Sequence, residues 1–419
     1  MSAAGPPQGG RPLGGAARSA VRGEHLSAAG PPQGGRPLGG AARSAVRGEL
    51  SNAFLQLAAA TAAVVLLASC LGDDVTPASA QYRTAVDRVI AKYHLPGVIA
   101  SVRVPGDAPW SATFGVADLA ARQPLDPGSF FPIRSITKSF TVTALLLLAR
   151  DHALRLDDKL DQYIPGFPNG DRITLADMAG MQSGIGEYTA NKEFQKLFVE
   201  DVGRPFTEAQ LAGYGLAESP HFLPGAQYEY VNTNTVVLGM VVEKVTKQPL
   251  GAVLQQRVFT PLGLSGTSYP STVPLPNPHA TPYEVDINTG ATEEQPLVNP
   301  TSLAGAGAMV STIADLETWA VALGTGSLIG PELQKQRIDQ SRVVTNGPEY
   351  ERYGLGIGIL KGWLGHTGTA IGWQLATFYD PRSGATISIM VNATPSGGRR
   401  DLNFAQELFE ALADIVNER

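Results

Sequence analysis

The chain has 419 residues, 43% of them hydrophobic and 17% charged, with a formal net charge of -6. This balance excludes a disordered or fibrous protein and fits a globular chain with a sizeable core, built as one large domain or two sub-domains. The first 70 residues carry six Arg against Glu24 and Glu49, so the remainder holds a net -10, which excludes phosphate neutralisation as a way of binding nucleic acid.

The first element in chain order is a repeat. Ser2–Glu24 recurs letter for letter at Ser27–Glu49, rich in Gly, Pro and Ala without apolar periodicity, so residues 1–52 are expected to be a disordered extension. Two copies lacking a hydrophobic face cannot stack as a solenoid. The duplication reads as a recent event or a misassigned start, with Val46 as the alternative first residue. The uncharged run Leu57–Ala68 is too short to span a bilayer comfortably but suits the core of a secretory signal, which places a signal peptide at 53–70. It ends in LASC, and Cys70 is the only cysteine. Leu-Ala-Ser-Cys resembles the bacterial lipobox, whose lipidated cysteine would anchor the mature chain to the membrane. Cleavage after Ala80 would secrete it instead, and a buried free thiol is the third reading of Cys70. Either cleavage implies a place outside the cytoplasm, and one cysteine allows no intrachain disulfide.

After a linker at 71–80, the region 81–419 reads as a mixed α/β domain. AQYRTAVDRVIAKYH has apolar residues at helical spacing, and GVIASVRVPG and WSATFGVAD read as strands joined by a turn at Pro105-Gly106-Asp107. The stretch 151–300 has short helical patterns (ITLADMAGM, TEAQLAGYGLA, NTVVLGMVVEKVTK) between Pro and Gly breaks and little strand signal, so a helical sub-domain is expected there. Beyond it come a helix, STIADLETWAVAL, then strands YGLGIGIL, GWQLATFYD and ATISIMVNA, and a closing amphipathic helix, RDLNFAQELFEALADIVNE. Strands at both ends, at 81–150 and 301–419, predict one antiparallel sheet interrupted by a helical insertion.

Three short motifs carry chemistry. In FPIRSITKSF, Ser135 lies near the start of a helix whose apolar face runs through Ile136, Phe140, Ala144 and Leu148. Residues three apart share a helix face, so Lys138 falls beside Ser135, the arrangement an activated nucleophile requires; Ser as an ordinary helix cap is the competing reading. In YEYVNTN, Tyr230 and Asn232 are two apart in an extended segment and point the same way, either into one cleft or as a packed tyrosine and a capping Asn. A phenol beside an ammonium can serve as a base. In LGHTGT, His366 and Thr367 sit on a strand, Gly368 marks a place where a ligand backbone can approach closely, and Thr369 can present a backbone N–H; a lone structural His is the alternative.

Ser-x-x-Lys, Tyr-x-Asn and His-Thr-Gly, in this order, resemble the serine penicillin-recognising family: class C β-lactamases, D-alanyl-D-alanine carboxypeptidases of the same fold, and related esterases. FPIRSITKSFTVTALLLLARDHALRLDDKLDQYIPGF, RITLADMAGMQSGI, YEYVNTNTVVLG, AGAGAMVST and HTGTAIGW read like family segments, and the resemblance runs from about Gln81 to the C-terminus. It implies an α+β, β-lactamase/transpeptidase-like fold, an antiparallel sheet flanked by helices with a mostly helical insertion. It implies an acyl-enzyme cycle with Ser135 as nucleophile, Tyr230 as base, and Lys138 as the charge that favours its phenolate. Asn232, His366, Thr367, Gly368 and Thr369 would bind the substrate, with an oxyanion held by the N–H groups of Ser135 and Thr369. His366 stands where many members have lysine, and Met181-Gln182-Ser183-Gly184 replaces a common His-Thr-Ser-Gly, read as structural variation.

The expected activity is that of an exported serine hydrolase without cofactor, D-alanyl-D-alanine carboxypeptidase-like on cell-wall peptides, with β-lactamase or esterase as alternatives. Its substrate would be a small peptide, a β-lactam or an ester. The strand before His-Thr-Gly lacks the arginine that can bind a terminal carboxylate; only Arg352 and Lys361 lie near, which favours the alternatives. A non-catalytic lipoprotein that binds cell-wall peptides is the reading from another class. No Gly-x-Ser-x-Gly elbow occurs, the six His show no metal-binding spacing, and Asp157-Asp158 reads as a solvated turn. Oligomeric state has no signature in the sequence.

Overall fold

The structure, a computed structural model, describes residues 76–345, 350–399 and 401–419. The repeats, the signal segment, Cys70 and the first half of the linker, residues 71–75, lie outside the described residues. Helix α1 (Pro77–Tyr93) starts within the expected linker, because the Thr76 hydroxyl accepts the Ser79 N–H and Pro77 supplies a helical φ at the first position. The domain therefore begins about four residues before Gln81.

Strands β1 (Gly97–Arg103) and β2 (Trp110–Asp118) pair antiparallel as expected, with the short β3 (Gln123–Pro124) beyond them. After β4 (Phe131–Pro132) and a 3-10 turn at Arg134–Ile136 comes α2 (Thr137–Arg150). The insertion holds α3 (Leu175–Ala179), α4 (Lys192–Glu200), α5 (Glu208–Ala217), α6 (Asn232–Thr246), α7 (Leu250–Leu254) and α8 (Thr260–Leu262). It is not helical to its end. Strands β5 (Tyr283–Asp286) and β6 (Thr292–Glu294) pair with each other, and β5 joins a strand from the far C-terminal part, so 283–294 belongs with the sheet-containing half.

The chain continues through β7 (Val310–Ser311), α9 (Ile313–Thr325), α10 (Pro331–Asp339), β8 (Arg342–Val343), β9 (Arg352–Tyr353), β10 (Gly358–Leu360), β11 (Trp363–Ala370), β12 (Trp373–Tyr379), β13 (Thr386–Val391), β14 (Ala393–Ser396) and α11 (Phe404–Asn417). The strand expected over YGLGIGIL is broken in two. Its glycines let the backbone leave the sheet and press on helices: a Cβ at Gly356 would lie 2.5 Å from Val142 Cβ, and one at Gly354 would lie 2.2 Å from the Arg337 carbonyl. ATISIMVNA likewise splits at Asn392, whose side chain donates to Thr281 O at 3.1 Å.

Among the described residues the main sheet has nine strands in the order β3-β2-β1-β13-β12-β11-β10-β9-β8, antiparallel throughout. Alternate residues serve two cores. Val98, Ala100 and Val102 of β1, with Ile387 and Ile389 of β13, pack with α1 and α11, while Ile99, Leu375 and Met390 face the core that holds α2 and Trp319 of α9. All six residues of β13 are buried, and Ser388, which alternates with Ile387 and Ile389, is accommodated by a 2.9 Å hydrogen bond between its Oγ and Thr377 Oγ1. Phe140 of α2 stacks on Trp319 at 3.6 Å between centroids, and the Trp319 indole N–H donates to Ser139 Oγ at 3.0 Å. These contacts fix α2, and with it the turn that precedes it.

Candidate active site

Ser135 stands in that turn, and three neighbours set its position. Ile133 N–H donates to Met309 O at 2.8 Å, the Met309 N–H donates to Thr137 Oγ1 at 3.2 Å, and strand β11 presses against Ile133 from the other side. A Cβ on Gly368 would lie 2.3 Å from Ile133 O, so only glycine fits. The close backbone approach expected at Gly368 is thus made by the chain itself and not by a ligand. Arg134 bends the chain through a left-handed φ of 50°, an uncommon conformation for a bulky residue.

The capping reading of Ser135 fails on geometry, because no side-chain cap bond forms at the start of either the 3-10 turn or α2. Instead Lys138 Nζ donates to Ser135 Oγ at 2.9 Å and to Ala306 O at 2.8 Å. Lys138 is fully buried, and its ammonium lies 4.9 Å from the centre of the Tyr230 ring. Ala306 comes from AGAGAMVST, where a left-handed turn at Ala304 and the Thr141 Oγ1 bond to Gly305 O bring the carbonyls over α2. Asn232 is the first residue of α6, not its cap, and its N–H donates to Glu187 Oε2.

Ser135, Tyr230, Asn232 and Thr369 line one cleft of about 420 Å³, within the range of small-molecule sites. Arg134, Thr189, Tyr228, Val344 and Tyr350 complete much of its wall. A larger depression, about 870 Å³, lies between α1 and Arg419, but none of Ser135, Lys138 or Tyr230 lines it. Arg134 is 4% exposed; burial lowers its pKa to about 10, and its Nε meets no acceptor among the described residues. Also among the described residues, no group of three or more His, Cys, Asp and Glu is placed to hold a metal ion.

His366 and Thr367 are not on the cleft surface; both are fully buried behind Tyr350. His366 Nδ1 lies 2.6 Å from Thr367 O and Nε2 lies 3.0 Å from the Tyr353 hydroxyl, a pattern met by a neutral ring protonated on Nδ1. Burial drives its pKa down to about 3, with Lys138 adding repulsion. Of the four His-Thr-Gly-Thr residues, only Thr369 faces the cleft. Strand β10 pairs with Trp363–Gly365 alone, leaving the edge of β11 beyond Gly365 without β10 as a partner. The Thr367 N–H points off that edge to Tyr350; strand alternation sends the N–H two residues on, at Thr369, off the same edge, and Thr369 lines the cleft with Ser135.

Arg352 and Lys361 turn elsewhere. Arg352 donates to Ser341 Oγ and Ser341 O at 2.9 and 2.6 Å, and Lys361 pairs with Asp414 at 2.7 Å. Tyr350 and Glu187 were not legible from the motifs, since each acts across a gap of 17 or 45 residues and neither sits in a recognisable pattern. The Met181–Gly184 segment is structural: Ser183 Oγ donates to Asn234 Oδ1 at 2.6 Å, and a Cβ on Gly184 would collide with Phe222 O.

A serine and a lysine in hydrogen-bond contact, a tyrosine ring over the lysine ammonium and a strand edge open beyond β10 come together on an antiparallel sheet flanked by helices. The chain belongs to the beta-lactamase family, whose sequence profile matches residues 82–411. It is similar to a solved D-stereospecific amidohydrolase from Streptomyces sp., with 30% identity and a TM-score of 0.68 over 79% of this chain and 97% of that one. A D-amino acid amidase from Ochrobactrum anthropi SV3 shares the fold with a TM-score of 0.75 at 21% identity, covering 82% of this chain and 100% of the other. A D-aminopeptidase from Brucella anthropi is 28% identical over 301 residues, 69% of this chain and 54% of its own length. The chain spans about a third to a half of the length of the curated relatives it matches first.

Proposed function

We propose that the protein hydrolyses amide or peptide bonds of small substrates with a D-configured acyl part, through an acyl-enzyme on Ser135. The contact of Lys138 Nζ with Ser135 Oγ, at 2.9 Å and under the Tyr230 ring, carries this reading. Tyr230, as phenolate beside the ammonium, takes the Ser135 proton while Oγ bonds to the carbonyl carbon. The negative oxygen of the tetrahedral intermediate is received by the N–H groups of Ser135 and Thr369. The C–N bond then breaks, and Tyr230 returns its proton to the departing amine. Water attacks the ester, its proton passing through Tyr230 to Ser135 Oγ, and the carboxylic acid leaves. Asn232 supplies a side-chain amide to hold the acyl part.

The D-configuration is supported by the similarity to a D-stereospecific amidohydrolase and to D-aminopeptidases. Free-carboxylate D,D-peptides rank below amides, because Arg352 and Lys361 are engaged away from the cleft. The test is ammonia release from a D-amino acid amide beside its L enantiomer, with Ser135→Ala as the control. Turnover of the D form alone, lost in the variant, supports the reading; equal turnover of both would remove the stereochemical part, and turnover by the variant would remove the nucleophile.

Export and lipid anchoring belong to the same proposal and rest on the sequence alone, on Leu57–Ala68 followed by Cys70. Incorporation of labelled fatty acid into the wild-type chain, but not into Cys70→Ser, is the expected outcome; equal labelling would discard the anchor.

A further inference from the structure

The strand edge on which a substrate would lie is partly filled by a side chain of the protein itself. The Tyr350 hydroxyl accepts the Thr367 N–H at 2.9 Å, lies 2.9 Å from Thr367 Oγ1 and lies 3.0 Å from His366 Nδ1. With the His366 proton on Nδ1 directed to the Thr367 carbonyl, the phenol is left to donate to Thr367 Oγ1. The ring is held flat against β10, because Gly358 has no Cβ; one built there would lie 2.3 Å from two ring atoms. His366 and Tyr353 pack on its sides at 5.5 Å. Tyr350 is 6% exposed, yet it lines the cleft beside Tyr230 and Thr369.

Thr367, fully buried behind Tyr350 and with its N–H given to the phenol, is therefore out of a ligand's reach while Tyr350 stays in place. A carboxylate on the leaving group needs charge-assisted donors, and those of the segment from Arg352 to His366 are spent, which leaves Arg134 as the cation in the cleft wall. His366 is neutral, Arg352 is held by Ser341, and Lys361 is held by Asp414. We propose that Tyr350 is a specificity-determining residue that closes the Thr367 end of the cleft to a free carboxylate, so that substrates with an uncharged leaving group are selected: a primary amide, a neutral amine or an ester. The proposal rests on the hydrolase reading above and narrows its substrate class.

The test compares kcat/KM for an acyl-D-alanyl-D-alanine with that for its C-terminal amide, the same peptide bond being cleaved with a charged or a neutral leaving group. Wild type is expected to favour the amide by at least about tenfold, the scale of one lost hydrogen bond to a charged group. Tyr350→Phe keeps the ring and removes the hydroxyl that takes the Thr367 N–H, so it narrows the ratio in part. Tyr350→Gly opens the edge and brings the ratio near unity through a lower KM for the acid. Should the glycine variant not fold, the phenylalanine variant decides. A wild-type preference for the acid, with Arg134 in the wall as its partner, would overturn the proposal, as would a ratio unmoved by Tyr350→Phe. Intact mass after exposure to a β-lactam or an activated ester is read on the same samples. If Ser135 acylates and the ratio does not move, Tyr350 alone loses its role; if Ser135 never acylates and neither peptide is cut, the hydrolase reading falls and takes this one with it.

Discussion

The two walls of the cleft were built by different rules. On the nucleophile side, Ser135 and Lys138 are three residues apart on one helical turn, and the spacing alone dictates that their side chains meet. On the strand side, His366, Thr367, Gly368 and Thr369 alternate in direction, and what each one touches depends on residues brought from elsewhere. Tyr350 covers His366 and Thr367, the Ile133 carbonyl uses the space at Gly368, and Thr369 alone meets the cleft. Helical spacing specifies a contact, whereas a strand motif specifies a backbone path and leaves its exposure to the tertiary fold.

The sharpest break of the nucleophile wall is Ser135→Ala, which is expected to lower kcat/KM by about 10⁴-fold or more on any substrate that turns over. About 1 to 3 kcal/mol of stability should go with it, since the buried Lys138 ammonium loses Ser135 Oγ as an acceptor. Tyr230→Phe removes the proton carrier and should cost about 10²- to 10⁴-fold in kcat, with KM little altered. Steady-state kinetics on the amide substrate separates the two parameters.

Gly368→Ala moves the test to the strand wall. Its Cβ would stand 2.3 Å from Ile133 O and 3.3 Å from Arg134 Cβ, so β11 and the nucleophile turn must part. A loss of about 1 to 3 kcal/mol in stability is expected from such overpacking, measured by urea unfolding, with an accompanying fall in kcat. A variant with unchanged kcat would show that Ser135 does not depend on this strand for its position.

The smallest effects compare the sheet with the helical insertion through pH. The buried His366 has its pKa lowered from 6.5 to about 3, so below pH 6.5 the unfolded chain takes up a proton that the folded one refuses. Its contribution to stability is full above pH 6.5 and is lost as pH falls toward 3. Glu208 in α5 behaves oppositely: burial first, and then the charge of Glu243, raise its pKa from 4.5 to about 8. Its contribution is full below pH 4.5 and is lost as pH rises through 8, where burial and the Glu243 charge oppose ionisation more than the Tyr269 hydrogen bond favours it. Melting temperatures from pH 4 to 9 should show a shallower acid slope in His366→Gln and a shallower alkaline slope in Glu208→Gln.

Most of the fold was legible because its signals are local. The helical spacing of AQYRTAVDRVIAKYH, the turn at Pro105-Gly106-Asp107 and the apolar strands near the C-terminus each name their own element. The break in YGLGIGIL was not legible, since Gly354 and Gly356 act through Arg337 and Val142, residues that only the folded chain brings near. Strands β5 and β6 were missed for a similar reason, as β5 is completed by β14 from more than 100 residues away. In the site, the motifs named Ser135, Lys138, Tyr230, Asn232 and Thr369, all found at the cleft or against it. They did not reveal that the chain would set its own tyrosine on the edge of β11.

The most direct test of the central claim is an intact-mass time course of the protein with an acylating substrate, run beside Ser135→Ala and Tyr230→Phe. The account predicts an increment equal to the acyl group on wild type, mapped by peptide digestion to Ser135, slower formation in Tyr230→Phe and none in Ser135→Ala. An adduct that forms equally in Ser135→Ala, or maps to another residue, would contradict it.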